Sequence, residues 1–277
     1  MSPNPLNQCS ESDFYHTEFG VIKGDYEHSS SWKNYSPKIT LAYRADESVM
    51  TYISVAKGYK AGGYGSISLD TPEAAIYDPE NIWSYESGIK TNWLNNKIIA
   101  NMSVFYTTVE DIQIQYTDPD SWDMSIRNAA EATTWGIELE STLRPFTGLQ
   151  IIGSFGLLES EFKEHKITEY EGNAIPFTPK FNAGLVVQYS FSQGMYIRGE
   201  SVWHGKSYFT EDNKYSQDDY MVANAKIGYD MEHFNVNVYV NNIFDKTYFT
   251  ILNKRGNVEK GVTGAPLTCG VQATIRF

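Results

Sequence analysis

Cysteine is scarce in this chain, with two in 277 residues. Cys9 and Cys269 lie far apart and form no C-x-x-C site. They suit either a pair made in an oxidising compartment or two unrelated thiols. No apolar run approaches the ~18 residues of a transmembrane helix, which excludes helical membrane spans but not barrel strands. Basic charge is also short: 22 Lys and Arg face 34 Asp and Glu, for a net charge of −12. That balance argues against a nucleic-acid partner. His16, His28, His165, His204 and His233 are scattered without metal-ligand spacing, and Ser, His and Asp gather into no triad. No cofactor and no enzymatic site is expected. The opening Met1-Ser-Pro-Asn-Pro-Leu has neither a basic nor an apolar region of a signal peptide. The expectation is therefore either a protein that is not exported or a missing N-terminal part.

What is abundant is aromatic. Twenty Tyr, fourteen Phe and six Trp make up 14% of the chain, and 41% of it is hydrophobic, which argues against global disorder. Aromatic residues favour strands and membrane interfaces. The final residues, Cys269-Gly-Val-Gln-Ala-Thr-Ile-Arg-Phe277, alternate strictly. Val271, Ala273, Ile275 and Phe277 share one face; Gln272, Thr274 and Arg276 share the other. Further strands are expected at 36–45, 48–57, 80–93, 97–116, 124–144, 149–159, 180–191, 195–205, 220–229 and 234–240. With the terminal one the count is eleven.

The connections sort by length. Short ones fall at 46–47, 94–96, 145–148, 192–194 and 230–233, and long ones at 58–79, 117–123, 160–179, 206–219 and 241–268. One end of the sheet thus carries tight turns and the other large loops, as in outer-membrane barrels with short periplasmic turns and long extracellular loops. The strand at 97–116 far exceeds the usual five or six residues. Faces separate cleanly in two segments. Phe234, Val236, Val238 and Val240 oppose Asn235, Asn237 and Tyr239; Met195, Ile197, Gly199 and Trp203 oppose Tyr196, Arg198, Glu200 and His204. Arg198 and Glu200 are too costly to face lipid and should face a wet or protein-filled lumen. Bacterial single-chain barrels have even strand numbers, so an odd count points to a miscount or an absent part. A passive porin and a soluble all-β carbohydrate-binding module or enzyme are the competing readings.

Several stretches, in order and spacing, resemble the barrel of TonB-dependent outer-membrane receptors. They are Tyr52-Ile-Ser-Val-Ala-Lys-Gly-Tyr-Lys-Ala-Gly-Gly-Tyr64, Pro79-Glu80, Tyr85-Glu-Ser-Gly-Ile-Lys90, Phe105-Tyr106 and Asp111-Ile-Gln113. Asn128-Ala-Ala-Glu-Ala-Thr-Thr-Trp-Gly-Ile-Glu-Leu-Glu140, Tyr239-Val-Asn-Asn-Ile-Phe-Asp-Lys-Thr-Tyr248 and Phe277 complete the set. The resemblance covers 32–277, leaving 1–31 as a loop or the end of a preceding strand. It implies the C-terminal half of a 22-stranded barrel, with the plug and its TonB-engaging segment elsewhere. It also implies partners: outer-membrane lipid, TonB with its inner-membrane energising proteins, the barrel assembly machinery reading Phe277, and a ferric siderophore or similar small ligand.

Structural roles can be assigned to several of these residues. Gly58, Gly62 and Gly63 flank the rise into a long loop, where close backbone approach favours glycine. Gly136 would let a long strand bend. Asn241-Asn242 with Asp245 can bond their own backbone and end a strand at the rim, and Trp93 and Tyr189 suit interface belts. Glu159, Glu161 and Glu164 beside His165 read as a solvated loop able to attract cations, and Asp118-Pro-Asp120 as a polar turn. The ligand-contact candidates in the long loops are Tyr59, Tyr64, Trp122, Tyr208, Phe209, Tyr215, Phe249 and Arg255. Aromatic rings offer rigid apolar surface, and Arg can grip carboxylate or metal-chelate oxygens.

Overall fold

A computed structural model describes residues 30–64, 76–117, 124–255 and 258–276. Alternation with period two becomes strand throughout, and no α-helix occurs among the described residues. In chain order the strands are β1 (Lys38–Arg44), β2 (Val49–Lys60), β3 (Gly63–Tyr64), β4 (Ile76–Tyr77), β5 (Glu80–Trp93) and β6 (Ile98–Thr117). Next come β7 (Met124–Leu143), β8 (Leu149–His165), β9 (Phe181–Ser190), β10 (Met195–His204), β11 (Ser207–Tyr208) and β12 (Ser216–Gln217). The last are β13 (Tyr220–Asp230), β14 (Phe234–Asn241), β15 (Phe249–Arg255), β16 (Val258–Thr263) and β17 (Thr268–Ile275).

Eleven of these form one antiparallel sheet in the order β1-β2-β5-β6-β7-β8-β9-β10-β13-β14-β17. They match the eleven expected from the sequence. Each neighbour follows in sequence, so every connection is a hairpin. The other six strands pair as β3-β4, β11-β12 and β15-β16 inside the long connections. Tight turns close the opposite end. Leu94, Asn95 and Asn96 all have positive φ, 54°, 55° and 66°, a conformation Asn accepts more readily than most residues.

Register places the apolar residues of successive strands in rows on one face. Leu41, Ile53, Ser87, Val104, Ile137 and Leu157 form one row. Leu149, Tyr189, Ile197, Ile227, Val238 and Val271 form another. An aromatic row, Tyr85, Tyr106 and Trp135, lies toward the long-loop end. Trp93 lies toward the tight turns on the same face, as does Tyr189, whose ring packs 4.6 Å from Phe191 and 6.4 Å from Phe146. From Ile98 to Tyr106 the strand advances about 26 Å at ~3.3 Å per residue. Tilted by ~40°, that stretch spans about 20 Å along the membrane normal, most of the ~25 Å apolar band expected between two aromatic girdles.

The opposite face is polar and is built around glycine. Four inward aromatic rings each lie directly over a glycine of the neighbouring strand: Tyr52 over Gly88, Phe105 over Gly136, Tyr196 over Gly228 and Tyr239 over Gly270. A Cβ on those glycines would come within 2.4–2.6 Å of a ring or backbone atom. Gly136 therefore serves as the seat of the Phe105 ring rather than as a bend. Gly62 and Gly63 are equally crowded, by Trp32 and Tyr77, whereas Gly58 has open space around it and needs no such explanation.

One boundary differs from the sequence reading. β8 continues to His165 because Ala130 and Glu131 of β7 still pair with His165 and Glu164. Glu159, Glu161, Glu164 and His165 thus belong to a strand standing above the apolar band, not to a solvated loop. His165 is buried. Residues 1–29 (with Cys9), Asp118-Pro-Asp120, Trp122 and Phe277 lie outside the described residues.

The two faces predict opposite responses to charge. Met102→Arg, at the middle of the apolar band, is expected to cost about 2–4 kcal/mol in denaturant-induced unfolding from bilayers, whereas Asn101→Arg on the inner face should cost under about 1 kcal/mol. Equal costs would contradict the assignment of faces.

Candidate functional site at the long-loop rim

Three polar knots hold the long connections against the rim, each made of residues far apart in sequence. In the first, the Asn128 side chain donates to the carbonyls of Asp78 (2.8 Å) and Asp111 (2.7 Å) and accepts from the Asp78 N–H (2.7 Å). Gln113 donates to the carbonyls of Ala61 (2.9 Å) and Asp78 (3.0 Å). Buried Glu80 accepts from the Gln113 N–H at 2.7 Å and pairs with Lys60 at 3.3 Å. Asp111, at φ 59°, sits in the bulge that turns these groups together. Trp32 packs edge-on to Tyr64, with centroids 6.3 Å apart. This knot therefore fixes the aromatic surface of β3 and β4.

The second knot locks the 166–180 loop to the 205–219 loop. The Asn213 side chain imitates a peptide group, donating to the Ala174 carbonyl and accepting from its N–H, both at 2.9 Å. Asn173 donates to the Glu211 carbonyl at 2.8 Å. The Phe177 N–H donates to the Tyr208 carbonyl at 2.8 Å, and the Phe177 and Phe209 rings lie 5.7 Å apart. Asp212 anchors the loop tip. Burial opposes its charge, but the Thr210 hydroxyl (2.6 Å) and both the N–H and the ammonium of Lys214 (3.1 Å each) outweigh burial and hold its pKa low. Beneath the two loops is a 280 Å³ cavity lined in part by Trp135, Glu159, Thr178, Lys180 and Tyr208.

The third knot is the Asn242–Asp245 turn. Buried Asn242 donates to the carbonyls of Lys246 and Ala265 (3.0 Å each) and accepts from the Lys246 N–H at 2.9 Å. Asp245 accepts from the Leu267 N–H at 2.9 Å. The strand end expected from this motif is realised in these bonds. Beside it the rings of Tyr248, Tyr220 and His204 stack, with centroids 4.4 Å and 4.9 Å apart.

The sequence candidates occupy different settings within this rim. Tyr59 shares the face of Ile53 and Val55 on β2 and is half-exposed. Tyr64 presents an exposed ring beside Trp32. Tyr208 lines the cavity, with the Lys206 ammonium 5.1 Å from its ring centre. Phe209 is only 9% exposed and packs the loop interior. Half-buried Tyr215 accepts the Phe209 N–H through its carbonyl at 2.8 Å. Phe249 begins the β15-β16 hairpin, where its N–H donates to Gln217 at 2.7 Å. Arg255 ends β15 opposite Val258. Sequence reasoning missed the Tyr220–Tyr248–His204 stack, whose members lie in three separate segments.

Below the rim, the inner face is charged. Arg198 donates to Glu200 through Nε (3.2 Å) and an Nη (3.1 Å), and Asn224 donates to Glu200 at 3.0 Å. Lys226 and Tyr239 join them around a 430 Å³ concavity. Arg198 and Glu200 thus lie on the face away from the apolar rows, as their cost in lipid requires.

Comparison with known proteins gives a consistent result. The family model described as "TonB dependent receptor-like, beta-barrel" matches residues 12–243. The pesticin receptor of Yersinia pestis is 28% identical over 244 residues, which is 87% of this chain and 36% of that receptor. The ferrichrome outer membrane transporter/phage receptor of Escherichia coli is 25% identical over 215 residues, 74% of this chain and 27% of that protein. The crystal structure of the ferric yersiniabactin uptake receptor FyuA from Yersinia pestis superposes with a TM-score of 0.76 at 27% identity, covering 87% of this chain and 37% of that one. The chain thus spans between about a quarter and little more than a third of the length of these relatives.

The first knot yields a direct expectation. Asn128→Ala removes three hydrogen bonds and leaves two carbonyls without that partner, so the 61–64 and 76–79 segments should lose about 1–3 kcal/mol of local stability. Amide exchange of those segments would speed up accordingly, while β9 and β10 keep their protection.

Proposed function

The chain belongs to the TonB-dependent receptor β-barrel family, and we propose that it forms wall and mouth of an outer-membrane receptor for energised uptake of a ferric siderophore. Membership places it among transport receptors of the outer membrane. The observation that carries the finer reading is its likeness to a ferric yersiniabactin uptake receptor over 87% of its length. The rim supports it. Long connections pinned by polar knots would bring the sequence candidates Tyr64, Tyr208 and Phe249 to the mouth, with Arg255 as the cationic candidate. Aromatic and cationic groups of this kind can take an apolar chelate with peripheral carboxylate or phenolate oxygens.

Transport follows as work performed on the whole receptor. TonB, energised from the inner membrane, would act on a plug, and the inner face around Arg198, Glu200 and Lys226 would border that plug. The barrel assembly machinery would insert this wall into the outer membrane. The family favours this reading over a passive porin or a soluble carbohydrate-active module.

The test is iron-limited growth and binding with the whole receptor across ferric siderophores, haem and cobalamin. At least one ferric siderophore should bind and restore growth. Tyr64→Ala and Tyr208→Ala should each weaken its binding about tenfold, equivalent to ~1.4 kcal/mol. A receptor that takes up haem or cobalamin but no ferric siderophore contradicts the assignment of cargo.

A further inference from the structure

The side chain of His165 is 2% exposed, yet it ends a strand at the rim. Phe162 of its own strand and Tyr170 of a 3-10 turn (Thr168–Tyr170) enclose its ring, each with its centroid 5.1 Å away. Ala130 of β7 faces it across the ladder. Its Nδ1 accepts the Ile167 N–H at 3.0 Å, so the neutral ring carries its proton on Nε2. That Nε2 is sealed from water and makes no hydrogen bond; Glu211 Oε2, in the other loop, lies 3.3 Å from it, within ion-pair range. Among the described residues, Glu211 is the carboxylate in ion-pair range of the ring; Asp212 beside it is engaged by Lys214, and Tyr170 packs against the imidazole.

We propose that the His165–Glu211 contact is a proton-operated latch, clamping the 166–180 loop to the 205–219 loop in mild acid and loosening it as the medium turns alkaline. With His165 neutral and Glu211 ionised, the pair holds one net negative charge on a carboxylate that is only 28% exposed and lies against a sealed imidazole, which is unfavourable. Uptake of one proton by the Glu211 carboxylate cancels that charge while the contact persists. Burial accordingly raises the Glu211 pKa, although His165 pulls it back. A group whose pKa is raised on folding adds stability below its unfolded value, and that stability is lost as pH rises through the folded value. The window therefore opens above the ordinary glutamate range of about 4.3.

Amide exchange of the whole receptor in detergent, corrected for the intrinsic pH dependence of exchange, reads the latch. Protection of the 166–180 and 205–219 segments should be about threefold or more higher near pH 4.5 than near pH 8, as local opening free energies allow. The 242–267 connection serves as an internal reference. Glu211→Gln removes the charge at constant shape and should keep high protection at both pH values. Should that variant lose the reference protection as well, His165→Gln gives the second reading: without the imidazole pulling it down, the Glu211 transition should persist and move to higher pH. A pH-independent wild type, an unchanged slope in a folded Glu211→Gln protein, or an unmoved transition in His165→Gln overturns the latch.

Discussion

In hydrocarbon no water remains to satisfy the backbone, so every N–H and C=O must find a partner within the protein. The rest of this structure depends on that constraint. It requires long strands in unbroken ladders across the band, as where β6 pairs without a shift from Ile98 to Val109 with both β5 and β7. It imposes period two on the side chains, so each strand carries one apolar and one polar face. It also confines irregular backbone to the ends. The bulges of β6, β7 and β8 lie at the long-loop end, where solvent and side chains can satisfy displaced groups. Alternation of direction across eleven strands leaves β1 and β17 running the same way, so these two edges cannot close on each other antiparallel.

The same geometry shapes the inner face. An aromatic ring over a glycine occupies the space of one side chain instead of two. Tyr52, Phe105, Tyr196 and Tyr239 thus supply cross-strand packing while keeping the wall thin. At the rim, the economy is of a different kind. Side-chain amides of Asn128, Asn213 and Asn242 take the place of strand partners, joining connections that no ladder reaches. Loops tied in this way can hold a binding surface in place, which a freely moving loop could not.

Legibility in the sequence followed the same division. The strands were readable because lipid on one side and a polar interior on the other write an alternating pattern into each segment separately. The lumenal position of Arg198 and Glu200 and the strand-ending turn at Asn242 and Asp245 were readable for similar reasons, since each depends on near neighbours. The knots were not. Asn128 meets Asp78 across fifty residues, and Asn213 meets Ala174 across thirty-nine. No local period records either meeting. Phe209 and His165 show the consequence: one looked like a contact residue and the other like loop, yet both are buried by segments that fold over them.

A nitroxide scan along β6, from Ile98 to Thr108 in the whole receptor in bilayers, tests the central claim most directly. Accessibility to oxygen should peak at Ile98, Ala100, Met102, Val104 and Tyr106, out of phase with accessibility to a polar relaxant at the intervening sites. In-phase profiles, or high polar access on both faces, would show that this sheet does not carry its apolar rows into lipid.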